Sequence, residues 1–372
     1  MNTSVSILKQ LVSFDTTSRN SNLALIEWVA DYLKSRGARV ELVYNAERNK
    51  ANLLGSIGPD REGGVVLSGH TDVVPVDGQE WSSDPFELAE RDGRLYGRGS
   101  SDMKGFIACG LAAVQQWKGM PLLRPLHFAF SYDEEVGCLG AHSLVERIVS
   151  RIPAPAFAVI GEPTDMRLGV AHNGVTGAHT RFRGVAAHAS DPSLGVNAID
   201  AAAAFVRQLH SVANLPAIAD HGCTFNVGQI KGGTATNIVA ERCSVHWEYR
   251  AARAQDAAVI KKTIADYLES NDLAALTVSN EIELDVPQFS SQLSDSWLRM
   301  LAACGAKLPP ITVPFGSEAG IFERSRIPSV VCGPGSIDQA HRPDEWIASA
   351  ALQEADGFMS KLGAWASQIG SD

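Results

Sequence analysis

Five short segments of this chain carry side chains able to bind a cation or move a proton. They are His70-Thr71-Asp72, Asp102 within Gly97–Gly105, Asp133-Glu134-Glu135, Glu162 in Gly161-Glu162-Pro163-Thr164, and His341 in Gln339–Glu345. Residues two apart on an extended chain point the same way, so Asp72 can brace His70 as carboxylates do behind metal-binding imidazoles. A structural histidine held by a neighbour would show the same pair. Asp102 follows a glycine-rich turn and opens a helical pattern, where a carboxylate can equally cap the helix. The glycines of that turn match neither phosphate-loop spacing. Three consecutive acids usually face water. Here apolar segments flank them, and like charges crowd in a partly buried place unless a cation compensates.

The elements that must position these groups follow from periodicity. Leu23, Ile26, Val29, Ala30 and Leu33 recur at helical spacing before Gly37, and Lys104–Trp117 reads as a second helix. Short apolar runs at 53–57, 64–69, 126–131 and 157–161 read as strands, and several of them end in the acidic or histidine segments. Alternating strands and helices predict an α/β layer architecture with a largely parallel mixed sheet. Ligands in such sheets gather at the carboxyl ends of the strands, so His70, Glu134, Glu135 and Glu162 are expected to converge. From 175 to 287 the order becomes strand, helix, strand, strand, helix, strand, the split βαβ pattern of a ferredoxin-like α+β domain. The predicted organisation is a catalytic domain in two parts, 1–174 and 288–372, with that domain inserted.

The chain has 372 residues, 45% hydrophobic and 20% charged, which is enough for a buried core, and a formal charge of −10. That balance argues against nucleic acid or an anionic membrane as a partner. No apolar run approaches membrane-spanning length. The first ten residues show neither an apolar core nor a small-residue cleavage site, and the six cysteines form no C-x-x-C pair. A cytoplasmic protein with reduced thiols is expected. Neither Cys109 nor Cys138 lies in a nucleophile motif, which disfavours thiol hydrolysis.

Taken in order, GHTDVVPVDGQEW, GRLYGRGSSDMKG, SYDEEVG, GEPT and AHRPDE resemble the dinuclear zinc aminoacylase and metallopeptidase family. The likeness runs from near Leu8 to the C-terminal helix. It implies that His70 and Glu162 hold one metal, Glu135 and His341 the other, and that Asp102 bridges them. Two divalent ions are implied, zinc foremost, with cobalt also suited to nitrogen and oxygen donors. Glu134 would be the general base and Asp72 would orient His70. The inserted domain would be a lid and dimerisation domain. It would bring His188 of a homodimer's other subunit over the metals, and Asn237 and Arg250 to the substrate carboxylate.

The implied substrate is a small N-acyl amino acid. The stretches 81–86 and 333–341 most resemble family members that act on N2-acetyl-L-ornithine. Desuccinylation or dipeptide cleavage is the sister reading, yet desuccinylases tend to carry an arginine where Ile321 stands. Glu318 would meet a cationic substrate tail or brace its loop. A non-catalytic binding protein on this fold predicts broken ligand positions, and none is broken.

Overall fold

The computed structural model describes residues 3–368, and these fall into two compact units. The first comprises residues up to 171, 290–313 and those from 317 onward. Its leading segment contains α1 (Ser4–Val12), α2 (Leu23–Lys34), β1 (Arg39–Tyr44), β2 (Ala51–Ile57), β3 (Val65–His70), β4 (Ala89–Arg91), β5 (Arg94–Tyr96), α3 (Lys104–Trp117), β6 (Leu126–Ser131), α4 (Leu139–Arg151), β7 (Phe157–Pro163) and β8 (Arg167–His172). The second unit, 172–289 with 314–316, holds β9 (Gly174–Arg183), α5 (Ala198–Ala213), β10 (Thr224–Gly232), β11 (Arg242–Ala251), α6 (Ala254–Leu268) and β12 (Thr277–Val286). The chain then continues through β13 (Phe289–Ser290), α7 (Asp295–Cys304), β14 (Lys307–Thr312), α8 (Ala319–Arg324), β15 (Ser329–Gly333), β16 (Trp346–Ala348) and α9 (Ser349–Ala366).

The large sheet runs β1-β2-β6-β3-β7-β15-β8-β13, with β14 beside β8. Its centre is parallel: β3 pairs with β6 and β7, and β7 with β15. Strands β3, β6, β7 and β15 are buried along their whole length, as strands covered on both faces must be. This is the α/β class expected from the alternation of elements. Helix α3 buries Phe106, Ile107, Leu111, Val114 and Trp117. It lies so close to β7 that a Cβ at Gly161 would stand 2.1 Å from the Phe106 ring. Only glycine allows that approach, which sets the level at which Glu162 leaves the strand.

In the second unit the sheet order is β10-β11-β9-β12, all antiparallel, which is the ferredoxin-like arrangement. β11 alternates buried and half-buried residues, and its inward side chains, with Phe182, Phe205, Ile260 and Ile264, form a separate core under α5 and α6. All six cysteines are free, and no helix among the described residues is long and apolar enough to cross a membrane.

Candidate metal centre

His70 ends β3, Ser131 ends β6, and Glu162 is the penultimate residue of β7, so three parallel strands deliver their carboxyl ends to one place. His70 is 1% exposed. Its Nδ1 contacts the Asp72 backbone carbonyl at 2.9 Å, which leaves Nε2 free to face Asp102 Oδ1 at 3.0 Å and Glu162 Oε1 at 3.9 Å. On the far side of Asp102, Oδ2 lies 3.6 Å from His341 Nε2, which is 3.0 Å from Glu135 Oε2. Asp102 thus presents one oxygen to each imidazole. It does not cap α3, whose N-cap is Met103.

Ligand atoms of His70, Glu134 and Glu162 lie within 4.8 Å of one another, as do those of His70, Asp102 and Glu135. Burial, then the negative charge of Asp102, raises the pKa of Glu135, and the same two causes push Glu162 well above its usual range. Glu134 is likewise pushed well up, by burial and by Glu135, against the opposing charge of His70. Hydrogen bonds to Asp102 and Glu135 push His341 up to about 10. Such a pocket cannot ionise fully on its own. Divalent cations between the carboxylates would relieve the repulsion, and two imidazoles with several carboxylates and no thiolate suit zinc or cobalt.

One expectation needs revision in detail. The Asp72 carboxylate does not reach His70 as a hydrogen-bond partner, its Oδ1 standing 3.6 Å from Nδ1. It accepts instead from the backbone N–H groups of Glu134 at 3.0 Å and Glu135 at 3.3 Å, and from Ser18 Oγ at 2.7 Å. Asp72 therefore clamps the acidic loop with its side chain and His70 with its main chain. Glu318 is 1% exposed, and both its oxygens accept hydroxyl hydrogen bonds, from Ser131 and, at 3.0 Å, from Ser68. It braces the ends of β3 and β6, the second of the two roles expected for it. Ile321 packs inside α8 at 4% exposure.

Within the inserted unit, a backbone bridge pairs His188 with Ile238, and the Ala189 N–H donates to the Asn237 carbonyl at 3.0 Å. This brings His188 and the Asn237 segment together. The Ser190 N–H donates to His188 Nδ1 at 3.1 Å, so that Nδ1 accepts and Nε2 is the donor edge of this exposed ring. Arg250 stands 3.2 Å from Glu248, so its charge is already partly met. A further group on this sheet, His179, His246 and Glu283, is close enough to suggest a metal. However, the two rings are stacked 3.7 Å apart with only 22° between their planes. One ion cannot lie in both ring planes, so the pair reads as a stack bridged by a carboxylate.

Sequence reasoning missed Glu345 and Arg98, which lie beneath the centre and pair at 2.9 Å, each 1% exposed. The only hint was an acid four residues after His341 and an arginine four before Asp102.

Residues 66–363 match the family model described as Peptidase family M20/M25/M40. The chain is 35% identical to an acetylornithine deacetylase of Pasteurella multocida, over 94% of this chain and 93% of that one. Its fold resembles a tripeptidase from Staphylococcus aureus, with a TM-score of 0.77, 22% identity and 98% of each chain covered. It also resembles a dinuclear metal binding peptidase of the M20 family from Bacillus subtilis, with a TM-score of 0.65, 15% identity and 97% of each chain covered.

Proposed function

The chain belongs to peptidase family M20/M25/M40, and on that premise we propose that this metal amidohydrolase converts N2-acetyl-L-ornithine to L-ornithine and acetate. The observation that carries the reading is the 33–35% identity to acetylornithine deacetylases along 94% of the chain, joined to a buried His and carboxylate cluster. In this reading His70 and Glu162 would hold one divalent ion, Glu135 and His341 would hold the other, and Asp102 would serve both. When bound, the ions polarise the scissile carbonyl and make water acidic enough to attack at neutral pH.

Glu134 takes a proton from the attacking water and passes it to the departing amine as the C–N bond breaks. Asp72 keeps Glu134 and Glu135 at fixed height through their backbone N–H groups. His188, with its proton on Nε2, supplies a hydrogen bond to the developing oxyanion, while Asn237 and Arg250 hold the substrate carboxylate. The enzyme is read as a cytoplasmic homodimer joined through the inserted domain, with His188 acting in the other subunit's site.

Substrate choice is tested directly. N-acetyl-L-ornithine should be hydrolysed with a kcat/KM at least about 10²-fold above that of N-succinyl-L,L-diaminopimelate. A succinyl group brings a second carboxylate, and burying it without a cationic partner costs several kcal/mol. The arginine that desuccinylases tend to carry is replaced here by Ile321, which is packed in α8. Equal efficiency, or a preference for the succinyl compound, would overturn the substrate while leaving the amidohydrolase reading intact.

The role of His188 is tested by complementation. An inactive His188→Ala chain mixed with an inactive Glu134→Ala chain should regain activity, towards roughly one quarter of wild type after random exchange in a symmetric dimer. No recovery despite demonstrated subunit exchange would place His188 in its own subunit's site or outside the chemistry.

A further inference from the structure

We propose that Glu345 is a positioning residue that fixes Asp102 and His341 relative to each other, and so sets the affinity of the ion on the His341 side. The inference rests on the dinuclear reading above. Glu345 is 1% exposed and its carboxylate is fully engaged. Oε1 accepts the backbone N–H of Ser101 at 2.8 Å and of Asp102 at 3.0 Å. Oε2 accepts from the Gly99 N–H and from Arg98 Nη1, both at 2.9 Å. One side chain thereby holds the whole turn that delivers Asp102. β16 pairs with β5 and starts at the next residue, so the 345 backbone is itself anchored, with the Gly97 N–H donating to its carbonyl at 2.9 Å.

The same network reaches His341. Arg98 Nη1 donates to the Arg342 carbonyl at 3.2 Å, and its Nη2 donates to Gln79 Oε1 at 2.6 Å. Gln79 Nε2 in turn donates to the His341 carbonyl at 3.0 Å. These contacts matter because His341 has little else to hold it. It is exposed, on a loop, and both it (φ 65°) and Asp344 (φ 53°) adopt the left-handed backbone that disfavours ordinary side chains. Glu162 and His70 leave buried strands and need no such support. The brace therefore bears on both ions through Asp102 and on one of them a second time through His341, so its loss should weaken the ion on the His341 side more than the other.

The test uses the metal-loaded enzyme and Glu345→Gln, titrated with dipicolinate while bound zinc is counted. One zinc equivalent should leave at about 10–100-fold lower chelator concentration than in wild type, the other with a clearly smaller shift, as is typical when a group behind a ligand is lost. In cobalt-substituted protein, the visible absorption of one equivalent should change more than that of the other. The kcat should fall with KM within about twofold, and added zinc should restore it. Should Glu345→Gln fail to fold, Gln79→Ala removes the half-buried link to His341 and should shift the same equivalent by a smaller factor. Unshifted midpoints in a folded variant, or equal weakening of both ions, would overturn the brace. Wild-type protein that binds no metal would sink the dinuclear centre and the brace with it.

Discussion

Glu134→Ala is expected to retain both metal equivalents while kcat falls by at least about 10²–10⁴-fold, the usual worth of a positioned acid–base group. The loss should lie at the upper end because, in the proposed mechanism, the same carboxylate handles the proton twice, on attack and on departure of the amine. Glu134 is suited to this by its surroundings: burial and the neighbouring Glu135 charge raise its affinity for a proton. The Cys138 thiol, 3.4 Å from Glu134 Oε1, adds a weak donor and no competing charge. Glu135→Ala should differ in kind. Its Oε2 lies 3.0 Å from His341 Nε2, so its removal should release one ion as well as activity. Metal counting on the two purified variants separates these roles. If both keep two ions, or both lose one, the proposed division between adjacent glutamates is wrong.

Exhaustive chelation is expected to remove essentially all activity, with zinc or cobalt restoring it and magnesium failing to. The donor set explains the choice, since two imidazoles favour a borderline-soft ion over a hard one that prefers oxygen and water. Chelation should also change stability. His70, Asp102 and Glu162 are at most 6% exposed, so ions that bind only the folded state should raise Tm by mass action. Thermal melts of the chelated and zinc-loaded protein give a readout independent of turnover. Full turnover in thoroughly demetallated protein would sink the metal chemistry, and an unchanged Tm would argue against ions at this buried site.

The cluster was legible because its members stand at the ends of apolar strands, where hydrophobic patterning and acidic residues meet abruptly. β3 ending in His70 and β7 ending near Glu162 are both visible in the order of residues alone. The sheet of the inserted unit was legible from β11, whose alternation is regular along its length. What was hidden depends on which backbone groups meet in three dimensions. Nothing in the local pattern says that Asp72 will receive the N–H groups of Glu134 and Glu135, since those contacts join the ends of neighbouring strands. Of the two roles open to Glu318, the substrate contact rested on the fact that a glutamate in a Gly-Ser-rich segment normally faces water. Instead it is sealed beneath the site by Ser68 and Ser131. Glu345 and Arg98 were missed because each is unremarkable in sequence, and only their pairing across the fold gives them a purpose.

The place of β15 has a consequence for how the molecule is made. It lies between β7 and β8, yet its segment is synthesised only after the whole inserted unit. Until Gly333 has left the ribosome, the apolar strand β7 has one unpaired edge in what will become the middle of the sheet. Such an edge invites chaperones or other unfinished chains. The cation pocket waits longer still, because His341 emerges after β15. A chain halted in this interval would carry Asp102, Glu135 and Glu162 beside one another with a single imidazole. With His341 as a ligand, as proposed, metal loading would be a late event in the life of the polypeptide, and truncation near the end should yield aggregation rather than a weaker enzyme.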